Sequence, residues 1–339
     1  MSLNTPKKNQ VIIVGAGVAG LCVASELLDK GIITTVIDRQ SEPGPQSCSW
    51  WAGGMLAPFC ESESAESSVV KFGQISASWW QEKTGLVTQN GSLVVASRRD
   101  MSDLQRFAKL TKEHVTLNQQ QIAELEPDLS ANFVSGLYYQ SEAHLAPRQA
   151  LKKLRENLLY KGVQFLIQNA DLNKLAKQHL VIDCRGIEAK ASTEGLRGVK
   201  GEMLILRCPD INLQRPIRLL HPRIPLYIVP RGDNVYMIGA TMIESSAKTH
   251  ASVRSVMELL NAAYALNPSF GEAEILEIGV NSRPAFNDNL PKVRRRGNVI
   301  TANGLYRHGF LLAPTLAKMV AEYLVEEVEP EWFESSLPN

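Results

Sequence analysis

The sequence predicts a two-domain α/β fold. One domain stands on a parallel sheet assembled from separated stretches of chain, the other on a mostly antiparallel sheet. Three observations predict it. A β-branched apolar run, Val11–Val14, leads at once into Gly15-Ala16-Gly17-Val18-Ala19-Gly20 and a helical pattern. Further apolar runs, of the kind buried on both faces in parallel sheets, recur in the middle and at the end of the chain. Strands between them alternate, as half-exposed antiparallel strands do. A length of 339 residues also favours two domains over one.

The first unit has a reason at each position. Leu21, Ala24, Leu27 and Leu28 recur at helical spacing, and residues 34–37 form a second apolar strand ending in Asp38. Strand, G-x-G-x-x-G, helix, strand, acid is the Rossmann-type dinucleotide signature. Gly15 permits the tight turn, Gly17 lets backbone approach a pyrophosphate, and Gly20 lets the helix pack close to the strand. The helix start at Val18 and Ala19 offers unpaired N–H groups to phosphate. Asp38 accepts hydrogen bonds from ribose hydroxyls, with Arg39 beside it. The motif leaves NAD and FAD both open. Residues 47–61, SCSWWAGGMLAPFCE, follow. There Trp51, Ala52, Gly53, Gly54 and Met55 form an apolar loop suited to lie along a flat ring; a tryptophan-rich core loop is the plain alternative.

The remaining elements follow in order. Residues 67–83 read as one helix, 91–97 as an alternating strand, 102–110 and 118–125 as helices, and 137–139 as a strand. Pro147 opens a helix whose Leu151, Leu154, Leu158 and Leu159 share a face. Residues 163–167 and 180–184 read as strands, the second running into Arg185-Gly186. Further strands are expected at 201–206, 226–229, 235–239 and 274–280, with a helix at 251–266. Residues 299–302 form a last buried strand, and 312–324 a closing helix with Leu316, Val320 and Leu324 on one face. The run Arg294–Arg296 reads as a solvated turn. No repeat or Pro-rich linker appears. The expected division is 1–85, 140–200 and 290–339 for the nucleotide domain, with 86–139 and 201–289 for the substrate domain.

Composition narrows the function. A net charge of +1 gives no general field for nucleic acid or an acidic membrane surface. Five cysteines without a C-x-x-C pair argue against a disulfide framework or a zinc site, and fit a reducing cytoplasm. The first apolar run is too short for a signal peptide, and no stretch is long enough to span a bilayer. No metal-ligand or Ser-His-Asp constellation stands out.

Six segments carry a family resemblance: VIIVGAGVAG (11–20), WWAGGMLAP (50–58), GVKGEMLIL (198–206), LYIVPRGDNVYMIGATM (226–242), SRPAFNDNLP (282–291) and NGLYRHGFLLAP (303–314). In these the chain resembles the D-amino-acid-oxidase-like flavoproteins, over essentially its whole length. The resemblance implies a glutathione-reductase-like FAD-binding domain beside a substrate domain, with FAD held non-covalently. It implies oxidation of glycine or a similar small amino acid to the imine, with O2 as acceptor giving H2O2, in supply of thiamine thiazole synthesis. Relatives often assemble, so a homo-oligomer is possible.

By the same resemblance Tyr227 stands where a hydroxyl lies near the substrate carboxylate, Met242 lines the substrate cavity, and Arg283 pairs with the carboxylate. Arg307 stands beside the flavin, and His308, Gly309, Phe310 and Leu311 run along its ring. Gly186 joins the cofactor set. Gly304 and Gly309 let a helix end approach the ring, where its partial positive charge stabilises reduced flavin. Two departures are visible: Asn281-Ser282 replaces Gly-Leu before Arg283, and His308 stands where Asn is usual. The last cysteine, Cys208, is far from the C-terminal cysteine to which some relatives attach flavin. Two other readings stay open, a D-amino-acid or sarcosine-type oxidase or dehydrogenase, and a flavin-bearing maturation protein acting on a partner chain.

Overall fold

Val11–Val14 is apolar on both faces, and the chain buries it in the middle of a six-stranded sheet. The computed structural model describes residues 10–129, 132–221 and 226–335. Residues 1–9, which bear on the expected lack of a signal peptide, lie outside these. Across the first sheet the order is Lys292–Arg296, Val299–Asn303, Leu180–Asp183, Val11–Val14, Thr35–Asp38 and Gln164–Ile167. All neighbours run parallel except the first pair. Start, middle and end of the chain thus meet in one sheet.

Two helices, Val18–Asp29 and Gly309–Glu326, pack together on one face of it. Leu21, Leu27, Leu312, Leu316 and Val320 are fully buried there, while Leu324 is only half-buried. The last helix begins at Gly309, three residues earlier than its apolar pattern suggests. Pro314 lies inside it and cannot donate to the Phe310 carbonyl one turn back. The Trp80 indole N–H takes that carbonyl instead, at 2.8 Å.

The second sheet is mostly antiparallel, apart from the parallel pairing of Ser92–Ala96 with Ile217–Leu220. Its longest ribbon pairs Arg197–Arg207 with Glu274–Ala285, placing Arg283 opposite Val199. Arg283 therefore sits inside a strand rather than after one.

Two other local expectations are corrected. Residues 67–83 form two helices, Ser67–Gly73 and Ser76–Thr84. A side chain at Gly73 would strike Leu311, so the bare glycine lets this pair close on the last helix. Arg294–Arg296 belongs to the edge strand Lys292–Arg296, and the turn falls at Gly297, where φ is +57°. The helix expected at 118–125 is present as Gln119–Leu125, with Asn118 and Gln121 as a reciprocal cap, and a strand not expected from the sequence, Val115–Asn118, precedes it.

Candidate active site

The parallel strands end at Val14, Asp38 and Asp183, and the loops beyond them open onto a cavity of about 710 Å³. Its far wall is the second sheet, through Gly201, Met203, Tyr227, Met237 and Arg283. Ligands of open parallel sheets bind at this edge. Gly15, Gly17, Val18, Ala19, Asp38, Arg39 and Gly186 line one half. Residues 51–55 and 307–311, with Tyr227, Met242 and Arg283, line the other.

Gly20 and Gly304 stand behind the wall. A side chain at Gly20 would run into the Gly15 carbonyl, so Gly20 lets the helix sit on the turn. Gly304, at φ +87°, would strike the Phe286 ring, so it shapes the corner without facing the cavity. Asn303 ties the two glycine turns, donating to the Gly186 carbonyl at 2.9 Å and accepting from Gly304 N–H at 2.8 Å.

The turn at 15–17 fits a dinucleotide on its own geometry. At Gly15, φ is +105° and a Cβ would lie 2.6 Å from the Cys184 carbonyl oxygen, so the fold itself requires glycine. At Gly17, φ is an ordinary −76°. A Cβ there would meet only the Ser47 and Ser49 hydroxyls, at 3.5 Å. The protein makes no demand for glycine at 17, and the space a methyl would take lies on the cavity side. Asp38 accepts from Ala16 N–H at 2.7 Å and Gln40 N–H at 3.0 Å. Its carboxylate spans turn and strand end with acceptor capacity left for ribose hydroxyls. Arg39 pairs with Glu188 at 3.2 Å, and Glu188 also meets Lys248.

At the other half the charges are arranged unequally. Arg283 is half-buried, and its Nη1 donates to the Thr241 carbonyl at 3.0 Å. No acid pairs with it among the described residues. Burial pushes its pKa below the usual arginine value. Arg307, by contrast, meets Glu61 at 2.8 Å, and that carboxylate raises its pKa. Tyr227 donates to the other Glu61 oxygen at 3.4 Å. Burial pushes Glu61 upward, yet Arg307, His308, Arg218 and Tyr227 together hold it below the usual carboxylate range. His308 is buried at the start of the last helix, and burial pulls its pKa down to about 4, so it is neutral at pH 7. The first-turn amides at 309–311 have no intrahelical acceptors and lie at the cavity wall. Asn281 donates toward the carbonyls of Pro45 and Gln46 at 3.3 and 3.4 Å, so this departure from the family pattern fastens a loop.

Sequence reasoning missed Glu61, Arg218 and Arg231. Glu61 is one acid among many, and its partner lies near the other end of the chain. Arg218 is buried, stacks over the Tyr227 ring at 5.4 Å and reaches Glu63 at 3.4 Å. Arg231 donates to the carbonyls of Ala52, Gly53 and Leu145 at 3.2, 2.7 and 3.3 Å. Only its place within LYIVPRGDNVYMIGATM could have drawn attention to it.

Comparison with known proteins agrees with this architecture. The family described as FAD dependent oxidoreductase (DAO) matches residues 10–323. The chain is 46% identical to a putative thiamine biosynthesis oxidoreductase ThiO of Rhizobium etli, covering 95% of this chain and 98% of that one. It is 27% identical to a bifunctional protein ThiO/ThiG of Trichormus variabilis, over 94% of this chain but only 53% of that longer protein. The crystal structure of glycine oxidase from Geobacillus kaustophilus superposes with a TM-score of 0.80 at 23% identity, covering 96% and 97% of the two chains.

Proposed function

The chain belongs to the FAD dependent oxidoreductase family, and from that premise we propose that it oxidises glycine, or an amino acid of similar size, to the imine. O2 is the acceptor and H2O2 the second product. The 46% likeness to a thiamine-biosynthesis oxidoreductase supports a place in thiazole synthesis. Cytoplasmic location and self-association belong to the same proposal, the first supported by five free cysteines.

One observation carries the substrate class. Arg283 presents a partly buried guanidinium to the cavity, with a backbone carbonyl as its hydrogen-bond partner and no carboxylate against it among the described residues. A cation so placed calls for an anion, and its planar fork suits a carboxylate.

FAD, when bound, supplies the acceptor for the hydride leaving the substrate α-carbon. The chain supplies position and electrostatics. Arg283 anchors the carboxylate, while Tyr227 and Met242 bound the space beside it. The loop at 51–55 and residues 307–311 line the same cavity and would hold the flavin ring. The free amides of the last helix aim partial positive charge into the same region. The amine reacts in its unprotonated form, its nitrogen lone pair assisting as hydride leaves the α-carbon.

Arg283→Ala tests this reading. A charge-assisted hydrogen bond contributes ~1.5–3 kcal/mol, so kcat/KM for glycine falls at least about tenfold. Arg283→Lys falls between, and the flavin spectrum is unchanged in both. Oxidation of glycine by Arg283→Ala at the parent's rate across all concentrations would sink the assignment. A panel of D-amino acids and sarcosine under air fixes the preferred amine.

A further inference from the structure

Beside Tyr227 and Met242 the cavity holds two guanidinium groups, and they are not equivalent. Arg283 bonds to the Thr241 carbonyl at 3.0 Å, and Arg307 Nη1 touches the Met242 sulfur at 3.9 Å. The two cations thus hang from adjacent residues and face one space. Only Arg307 has a carboxylate, Glu61, at 2.8 Å. That carboxylate is buried, and its Oε2 makes no aligned hydrogen bond. Tyr227 holds the other oxygen, and Ser64 holds Arg307 Nη2 at 2.7 Å. With His308 neutral, Arg283, Arg307 and Glu61 leave one net positive charge, which a single carboxylate cancels.

We propose that Glu61 is a specificity-determining residue: by neutralising Arg307 it restricts the cavity to monocarboxylates. This rests on the reading above that Arg283 holds the substrate carboxylate. A second carboxylate on a ligand would point at Arg307 and find Glu61 already there. Like charges juxtaposed in a desolvated site exclude a ligand. With Glu61 neutral, Arg307 becomes a second anion seat.

The test uses the FAD-loaded protein and two unreactive probes, acetate and malonate, titrated against the flavin absorption band. Glu61→Gln lowers the ratio of the malonate to the acetate Kd by at least about tenfold. Adding Arg307→Met to it returns the ratio to the parent's. Arg307→Met alone, which strands the Glu61 charge, raises the ratio, and this arm stands if Glu61→Gln fails to fold. An unchanged ratio in Glu61→Gln, an equal fall in the double variant, or no rise in Arg307→Met overturns the proposal. If acetate responds in the parent and is lost in Arg283→Ala while Glu61→Gln has no effect, the anchor stands and this proposal falls. If acetate gives no response in the parent, both fall.

Discussion

Gly15 and Gly17 are two residues apart and answer to different constraints. Gly15 is required by backbone: its φ of +105° and the Cys184 carbonyl leave no place for a side chain. Gly17 has ordinary backbone angles, and a methyl there would make only ordinary contacts with the Ser47 and Ser49 hydroxyls. Gly15→Ala therefore costs stability itself, on the order of 1–3 kcal/mol, seen as a lower melting temperature of the FAD-free chain. Gly17→Ala leaves that melting temperature within about 1 kcal/mol of the parent but loses FAD on gel filtration, because the methyl occupies the cofactor's side of the wall. A Gly17→Ala protein that stays yellow would refute the pyrophosphate assignment. The glycine spacing was legible in sequence because backbone approach leaves no substitute for glycine. Glu61 was not legible, since an ion pair across the whole chain has no local signature.

Elements repeat this contrast. The loop 51–55 is recognisable by its composition, but what fastens it is Arg231, on a distant turn after the strand Leu226–Pro230. Burial pulls the Arg231 pKa down to about 9, and carbonyls are its partners. Arg231→Met strands those carbonyls, and unsatisfied buried groups cost ~1–3 kcal/mol each. The variant loses ~2–4 kcal/mol in urea unfolding and shifts the flavin absorption band. An unaltered band with parental stability would show that the loop holds itself. Strands with uniform apolar runs, such as Val11–Val14 and Leu180–Asp183, were readable from period alone. Ile217–Leu220 was not, since IRLL places a buried arginine in a short strand. The break between Gly73 and Ser76 was missed because Gly73 answers to Leu311, a tertiary neighbour.

For the whole molecule, pH acts through Glu142. It is fully buried, accepts from Cys60 N–H at 2.7 Å and contacts the Ser92 hydroxyl, joining three separated stretches of chain. Burial raises its pKa from 4.5 to about 7. The folded state thus holds a proton that the unfolded state releases near 4.5. The resulting stability is complete below that value and is lost as pH rises through 7. Glu142→Gln keeps the shape without the charge. It matches the parent near pH 4 and exceeds it by on the order of 3 kcal/mol above pH 8. Equal melting temperatures of the two proteins from pH 5 to 9 would refute this linkage.

The strand Leu180–Asp183 lies between Val11–Val14 and Val299–Asn303. On the ribosome this order becomes a delay. The middle strand emerges with its first partner ready and its second still uncoded into chain, an interval on the order of ten seconds at ordinary rates of synthesis. Throughout it one edge of the central sheet stands open, and the seat for the last helix on Val18–Asp29 is bare. Until then the nascent chain exposes an unpaired strand edge and apolar surface that favour aggregation, and the cavity wall at 307–311 forms only after the last strand and helix have been made.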